Sequence, residues 1–261
     1  MIGIFDSGLG GLTVVREVMA QLPRYDLIYF GDTARTPYGP KSPEIVIQYA
    51  VQIAEWLLTN GAQVIVVACN TASSVATDTL RQRLRVPIFE VVSPAARVVI
   101  QNQHIHRVGV IGTRATINSG IYEKMIRAER PEIKIYSKAC PLLVPLVEEG
   151  WLKQRETKQI VKKYLYPLRL KQINALILGC THYPILKDII QVKIGKRVHI
   201  IDSSQAIVGT IKHFLESHPE TKKKLRQNAD HRIYVSDITA HFKRIAQDIL
   251  RVPVRLECVR L

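Results

Sequence analysis

The chain contains the stretch VIVVACNTAS at residues 64–73, in which an apolar run ends at a cysteine and is followed by small polar residues. A second stretch of the same build, ALILGCTHYP, occupies residues 175–184. Each pattern predicts a buried parallel strand whose carboxyl end carries a thiol, followed by a turn that opens a helix. Ligands bind outside the carboxyl ends of strands in open α/β sheets. We therefore expect Cys69 and Cys180 to flank one ligand from opposite sides.

A chemical role for these two thiols competes with a structural one. A free cysteine in a folded protein is usually a small apolar residue of the core. The polar residues that follow both Cys69 and Cys180 favour chemistry, in which one thiolate removes a proton and the other thiol returns one to the opposite face. Cys140, which precedes a proline, and Cys258, in a Val/Arg-rich stretch, lack this setting and are interpreted as structural.

Apolar strand-like runs alternate with helical patterns along the chain. This alternation predicts an α/β fold with mostly parallel sheets flanked by helices. The expected strands lie at residues 2–5, 27–30, 64–68, 88–91, 108–111, 133–137, 175–178, 198–201 and 232–235, with a last strand near 252–256. Helical patterns are clearest at residues 42–58, 154–165 and 239–250.

The sequence also repeats itself approximately, because IGIFDS at residues 2–7 resembles VGVIGT at residues 108–113. A strand-end cysteine follows each copy at a similar distance. We therefore expect two similar domains that face each other across the active-site cleft. The first would comprise residues 1–93 plus 206–261 and carry Asp6 and Cys69, and the second would comprise residues 94–205 and carry Cys180 and His182.

Composition limits the classes of protein to consider. The 261 residues are 47% hydrophobic and 23% charged, as in a globular protein, and no apolar run reaches the roughly 18–20 residues of a membrane span. The chain starts in a strand without a basic leader, and four cysteines do not form a disulfide framework, so we expect a cytoplasmic protein. No cysteine or histidine cluster has the spacing of a zinc site, so no metal is expected.

The net charge of +15 is unevenly distributed. Residues 1–94 contain seven Lys/Arg and eight Asp/Glu, which leaves +16 for residues 95–261. Such an excess is more often a solvated helix face, and no nucleic-acid-binding motif accompanies it. Weak, nonspecific DNA binding remains compatible with it.

Several loops contain candidate site residues. The glycine-rich turn DSGLGG at residues 6–11 lacks the dinucleotide pattern, and Asp6 within it either caps the next helix or serves as a base near a thiol or a partner for a substrate ammonium. The loop GDTARTPYG at residues 31–39 is either a binding loop or a plain surface turn. Amide and hydroxyl donors beside the cysteines could hold carboxylates. These donors are Asn70, Thr71 and Thr181, and a loop that contains Thr113 could add a third group of donors.

Two further positions are candidates for acid/base chemistry. His182 lies two residues after Cys180, where an imidazole could lower the pKa of the thiol or relay its proton. Glu148 and Glu149 precede Gly150 and suit either a catalytic role or a solvated helix end.

Five motifs together resemble glutamate racemase, of the aspartate/glutamate racemase superfamily. They are DSGLGGLTV at 6–14, PYG at 37–39, CNTA at 69–72, PLVEEG at 145–150 and LGCTHYP at 178–184. The resemblance implies cofactor-independent interconversion of L- and D-glutamate, which supplies D-glutamate for bacterial peptidoglycan. It also implies two α/β domains with the site between them, and a homodimer.

The same resemblance assigns roles to individual residues. Cys69 and Cys180 match the two acid/base thiols, Asp6 and His182 match the groups that assist them, and either Glu148 or Glu149 contributes. The implied substrate contacts are Ser7, Pro37, Tyr38, Gly39, Asn70, Thr71, Thr113 and Thr181. The alternatives are a related two-cysteine racemase for aspartate or hydantoins, and a basic nucleic-acid-binding protein on a racemase fold.

Overall fold

Two parallel sheets form the centre of the molecule. The structure is a computed structural model, and it describes residues 1–252 and 255–261. Within these residues the strands are β1 (Ile2–Asp6), β2 (Leu27–Gly31), β3 (Val64–Val67), β4 (Ile88–Glu90), β5 (Arg107–Gly112), β6 (Lys134–Ala139), β7 (Ala175–Gly179), β8 (His199–Asp202), β9 (His231–Val235) and β10 (Leu256–Cys258). The first sheet has the order β10-β9-β2-β1-β3-β4 and the second has the order β6-β5-β7-β8.

Helices connect the strands and cover both sheets. They are α1 (Leu12–Gln21), α2 (Pro43–Thr59), α3 (Asn70–Arg83), α4 (Val92–Gln101), α5 (Arg114–Asn118), α6 (Ile121–Glu129), α7 (Leu143–Glu148), α8 (Arg155–Leu170), α9 (Lys187–Ile194), α10 (Ser203–Ser217), α11 (Pro219–Lys224) and α12 (Ala240–Leu250). Short 3-10 turns lie at Leu9–Gly11 and Tyr183–Leu186. In the described part of the chain, no helix combines the length and apolar character needed to cross a bilayer.

The predicted α/β class is confirmed, and the strand pairs are parallel. Nine expected strands have counterparts whose ends shift by at most two residues. The strand expected near 252–256 lies partly outside the described residues, and β10 begins at its last position. Helix α8 extends past the expected end at residue 165, through Pro167, because Leu168 continues its buried apolar face.

The internal repeat is visible in the strand order. Strand β1 lies between β2 and β3 in the first sheet, and β5 lies between β6 and β7 in the second. Cys69 follows β3 closely and Cys180 follows β7 directly, so both thiols occupy equivalent places. The first sheet draws its strands from residues 2–90 and 231–258 and the second from 107–202, while the domain boundaries near residues 93 and 205 stay a prediction.

Central strands of the sheets are more deeply buried than the edge strand β6. Every residue of β1, β2, β3 and β7 is buried, as is typical of parallel strands covered on both faces. The edge strand β6 has no fully buried residue, although its sequence predicted a strand. Helix α10 packs against α1 from one half of the molecule and against α4 from the other, and it therefore joins the two halves.

Candidate active site

A small cavity of about 20 Å³ lies where the carboxyl ends of the two sheets meet. It brings together both strand-end thiols, His182 and all eight residues expected to contact a substrate. Val144, on α7, is the lining residue that the sequence did not single out. The full set is Ser7, Pro37, Tyr38, Gly39, Cys69, Asn70, Thr71, Thr113, Val144, Cys180, Thr181 and His182.

Cys69 occupies the N-cap position of α3 and is buried. Its Sγ donates a hydrogen bond to Ser7 Oγ at 3.8 Å. Burial and the negative charge of Asp6 raise the pKa of the Cys69 thiol to about 12, although bonds to Ala72 and Ser7 oppose that shift. Cys69 therefore holds its proton at neutral pH.

Asp6 is fully buried at the end of β1, and the glycine-rich turn encloses it. Its Oδ2 accepts hydrogen bonds from the backbone N–H groups of Gly8 and Gly11, each at 3.0 Å, and its Oδ1 accepts one from Thr181 Oγ1 at 3.2 Å. A Cβ on Gly11 would lie 2.3 Å from the Asp6 Cβ, so this close approach requires glycine. The turn therefore binds the chain's own carboxylate.

Asp6 interacts electrostatically with Cys69 on one side of the cavity and with His182 on the other. Burial raises the pKa of its carboxyl, while the His182 charge and the hydrogen bonds from Gly8, Gly11 and Thr181 lower it. Within the described residues no hydrogen bond joins Asp6 to Cys69, so Asp6 acts on that thiol through its charge.

Cys180 lies beside a histidine and a carboxylate. His182 Nδ1 is 3.8 Å from Cys180 Sγ, and its Nε2 is 3.2 Å from Glu148 Oε1. Burial alone lowers the pKa of His182, but hydrogen bonds and charges of Cys180 and Glu148 outweigh burial and raise it to about 10. At neutral pH the imidazole is therefore protonated, so it donates an N–H to each partner. An imidazolium beside a sulfur stabilises its thiolate.

The two adjacent glutamates occupy different environments. Glu148 ends α7, its side chain is 27% exposed, and its carboxylate reaches His182 and Thr36. Glu149 is the C-cap residue and is exposed, and within the described residues its side chain makes no hydrogen bond. The structure therefore brings Glu148 to the site and leaves Glu149 at the surface, an alternative that the sequence left open.

The glycine-rich turn also supports the opposite half of the site. A Cβ on Gly10 would lie 2.3 Å from Thr181 Oγ1 and 2.5 Å from His182 Nδ1. The turn after β1 therefore packs directly on the turn after β7. Glycine at this position allows the two turns, which belong to different sheets, to approach each other.

Polar side chains fix the remaining loops of the cavity. The hydroxyl of Tyr38 donates a hydrogen bond to the Asp32 carboxylate, which also accepts hydrogen bonds from Arg35 and Ser236. These bonds anchor the expected binding loop at residues 31–39. Tyr122 donates to Asn70 Oδ1 at 2.7 Å.

Contacts between hydroxyl groups also join the two halves. Thr71 Oγ1 lies 2.9 Å from Thr113 Oγ1, which places donors from α3 and from the turn after β5 side by side. Thr116 Oγ1 lies 3.1 Å from Thr113 Oγ1, so the three threonine hydroxyls form a buried cluster.

Comparison with known proteins identifies the family. The family model described as Asp/Glu/Hydantoin racemase matches residues 10–211. A glutamate racemase of Geobacter metallireducens is 44% identical over 249 residues, which cover 95% of this chain and 92% of the relative.

Solved structures show the same relationship in three dimensions. The crystal structure of glutamate racemase isoform RacE1 from Bacillus anthracis has a TM-score of 0.93 and 37% identity, and the match covers 100% of this chain and 97% of that one. The glutamate racemase of Francisella tularensis in complex with D-glutamate has a TM-score of 0.90 and 39% identity, covering 99% and 96%. These matches confirm the resemblance seen in the motifs. The chain is an amino-acid racemase and belongs to the Asp/Glu/Hydantoin racemase family, in which these full-length relatives are glutamate racemases.

Proposed function

We propose that the protein interconverts L- and D-glutamate without a cofactor, by moving the Cα proton between Cys69 and Cys180. The observation that carries this proposal is the pair of thiols, one from each repeated half, in the wall of a single cavity. Inversion at Cα requires removal of the proton on one face and delivery of a proton to the other. Two acid/base groups on opposite sides of the substrate meet that requirement.

The two thiols meet groups of opposite charge. Cys69, with a pKa raised to about 12, holds a proton that it can donate. Cys180 Sγ lies 3.8 Å from Nδ1 of the protonated His182, and it is the proposed base on the other face. For the other enantiomer the roles reverse, and Asp6 is the proposed partner of Cys69 in that direction. Glu148 holds the imidazolium in place and supports its charge.

Neutral hydrogen-bond donors are proposed to bind the two substrate carboxylates. The cavity lining contains hydroxyl, amide and backbone donors but no lysine or arginine, and all its members lie within the described residues. Removal of the Cα proton transfers negative charge towards the α-carboxylate. Donors held in advance of the reaction stabilise that charge most effectively. The fixed Asn70 amide and the Thr71–Thr113 pair meet this condition.

Substrate entry is proposed to require movement of the two halves. A cavity of about 20 Å³ holds little more than one water, which needs about 10–15 Å³. The Thr71–Thr113 contact and the bond from Ala115 N–H to the Gly39 carbonyl, at 3.3 Å, join the halves across the site. Opening these contacts admits glutamate, and their return excludes water during proton transfer.

Wider aspects of function rest on the resemblance. We propose on that ground that the protein supplies D-glutamate for peptidoglycan, acts in the cytoplasm and forms a homodimer. The alternative substrates, aspartate and hydantoins, are less well supported because the full-length relatives are glutamate racemases. The two thiols in the cavity favour an enzyme over a nucleic-acid-binding protein on the same fold.

The test measures racemisation and exchange together. Purified protein is incubated with L-glutamate in D₂O without added cofactor, circular dichroism follows inversion, and NMR follows deuterium at Cα. Replacing either Cys69 or Cys180 by alanine is expected to reduce racemisation at least about 10²–10⁴-fold. Cys258→Ala, which removes an exposed cysteine, is the control. Near-wild-type racemisation by Cys180→Ala would contradict the two-base proposal.

A further inference from the structure

The end of α7 leaves one backbone carbonyl without a partner inside its own motif. Gly150 has a φ of 70°, and the turn is a Schellman motif in which Gly150 N–H donates to Val147 at 3.0 Å and Trp151 N–H donates to Leu146 at 2.8 Å. These bonds satisfy the carbonyls of residues 146 and 147. The carbonyl of Glu148, one residue further, is one of the helix-end acceptors that must find a partner elsewhere.

His241 on α12 supplies that partner. Its Nε2 lies 2.5 Å from the carbonyl oxygen of Glu148, and the Arg244 guanidinium approaches its Nδ1 at 3.1 Å. A carbonyl only accepts and a guanidinium only donates, so His241 is neutral with its proton on Nε2. Both ring nitrogens are therefore committed, and the imidazole is held on the turn that carries Glu148.

These contacts connect the surface to a thiol through hydrogen bonds and the covalent structure of Glu148. The connection runs from Arg244 to His241, through the backbone and carboxylate of Glu148, to His182 and Cys180. It crosses between the repeated halves, because α12 follows β9 of the first sheet in sequence and packs against α1, whereas Cys180 follows β7 of the second sheet.

We propose that His241 is a positioning residue for the reaction, which fixes Glu148 so that its carboxylate holds His182 against Cys180. The inference rests on the proposed racemisation. His241 touches neither thiol and lies outside the cavity lining, so it acts only through Glu148. Because the contact joins α12 to α7, it also ties the arrangement of the Cys180 side to the docking of the C-terminal helix.

The surroundings of the contact between His241 and Glu148 distinguish a positioning role from a purely structural one. A cavity of about 210 Å³ adjoins His241, Glu148 and Phe242 and opens beside the contact. Truncation of the imidazole therefore lets water reach the Glu148 carbonyl, so the loss of stability should be small. Water does not fix the position of the carbonyl as a side chain on a helix does. The expected damage is to geometry, where a misplacement of about 1 Å can cost about 10²-fold in rate.

The experiment compares His241→Ala with His241→Gln, whose side-chain amide keeps an N–H donor near the position of Nε2. Gln247→Ala, an exposed change on the same helix, is the control. Kinetics are measured for both enantiomers, with ordinary glutamate and with glutamate deuterated at Cα, alongside thermal unfolding. His241→Ala is expected to lower kcat by about 10-fold to 10²-fold with little change in KM, and His241→Gln to restore most of the loss.

The isotope effect gives the decisive reading. Since His241 acts on Cys180 and not on Cys69, the deuterium isotope effect on kcat should rise for the enantiomer that Cys180 deprotonates and change little for the other. If folded His241→Ala keeps the wild-type kcat, or if the isotope effect changes equally for both enantiomers, the inference is wrong. If the wild-type protein does not racemise glutamate, the proposed function itself fails, and the two failures are thereby distinguished.

Discussion

Replacing Glu148 by glutamine removes a negative charge beside His182 and keeps the size of the side chain. Glu148 Oε1 lies 3.2 Å from His182 Nε2, and this contact helps to raise the pKa of the imidazole to about 10. The neighbouring Glu149→Gln makes the same change of charge at an exposed position. The pair of variants therefore separates the local effect of the carboxylate from its effect on net charge.

The size of the effect follows from Coulomb's law. Two unit charges about 4 Å apart interact by about 4 kcal/mol at an effective dielectric constant near 20. The Glu148 side chain is 27% exposed, so solvent screens part of this interaction. A retained effect of about 1.4–2.7 kcal/mol corresponds to about one to two pKa units. We expect Glu148→Gln to lower the pKa of His182 by that amount, and Glu149→Gln to leave it in place.

The sign of the kinetic change follows from the active form of the histidine. If the imidazolium supports the thiolate, activity is lost as pH rises through the pKa of His182. Lowering that pKa moves the alkaline limb of the kcat profile about one to two units towards lower pH in Glu148→Gln. Profiles of kcat between pH 6 and 10.5 for both variants, with NMR titration of isotope-labelled histidine, measure the two shifts directly.

Stability offers a second check with a defined window. The folded pKa of His182, about 10, exceeds its ordinary value of 6.5, so the contribution of its charge to stability is complete below pH 6.5. That contribution disappears as pH rises through about 10. Chemical denaturation should therefore show the largest deficit of Glu148→Gln near pH 6 and almost none above 10. Equal pH profiles for the Glu148 and Glu149 variants would refute the assignment of Glu148.

Three further predictions address packing, specificity and charge. Gly10→Ala should reduce racemisation strongly, because the new Cβ would overlap Thr181 and His182, whereas Gly209→Ala, in open space on α10, should keep activity and raise stability by about 0.5–1 kcal/mol in denaturant titrations. Steady-state assays should give L-glutamate a kcat/KM at least about 10²-fold above L-aspartate, because a side chain one methylene shorter cannot reach both sets of donors with Cα between the thiols. Comparable values would indicate a broad-specificity racemase. Gel shifts should show weak DNA binding that disappears at physiological salt, since residues 95–261 carry a charge of +16. Sequence-selective or salt-resistant binding would contradict that expectation.

The sequence predicts the site best where strand ends and chemistry coincide. Cys69 and Cys180 follow apolar strands in two similar units, so their place at the carboxyl edges of two sheets could be predicted from pattern and repeat. Only the resemblance predicts that the donor loops meet in one cavity. The relative placement of the two sheets depends on contacts between residues that are far apart in the chain. Val144 shows the limit, since an apolar residue on an amphipathic helix gives no sign that it faces a cavity.

Contacts made across long stretches of sequence are harder to predict. Glu148 and Glu149 are identical neighbours, and only the end of α7 and the left-handed Gly150 determine which carboxylate faces His182. His241 lies 93 positions from Glu148 and reaches a backbone carbonyl, which leaves no trace in a motif. The N–H groups of Gly8 and Gly11 bind the carboxylate of Asp6, and the glycine-rich sequence alone does not predict this contact.

The two halves repeat in fold but differ in the charge that each thiol meets. The carboxylate of Asp6 raises the pKa of Cys69, whereas Cys180 lies 3.8 Å from the imidazolium of His182. In the proposed mechanism, this difference in charge makes the site unequal towards the two enantiomers. Because the two enantiomers of glutamate have equal free energies, kcat/KM must be the same in both directions. Any difference that the unequal surroundings of the thiols make between the two directions must therefore change kcat and KM by the same factor.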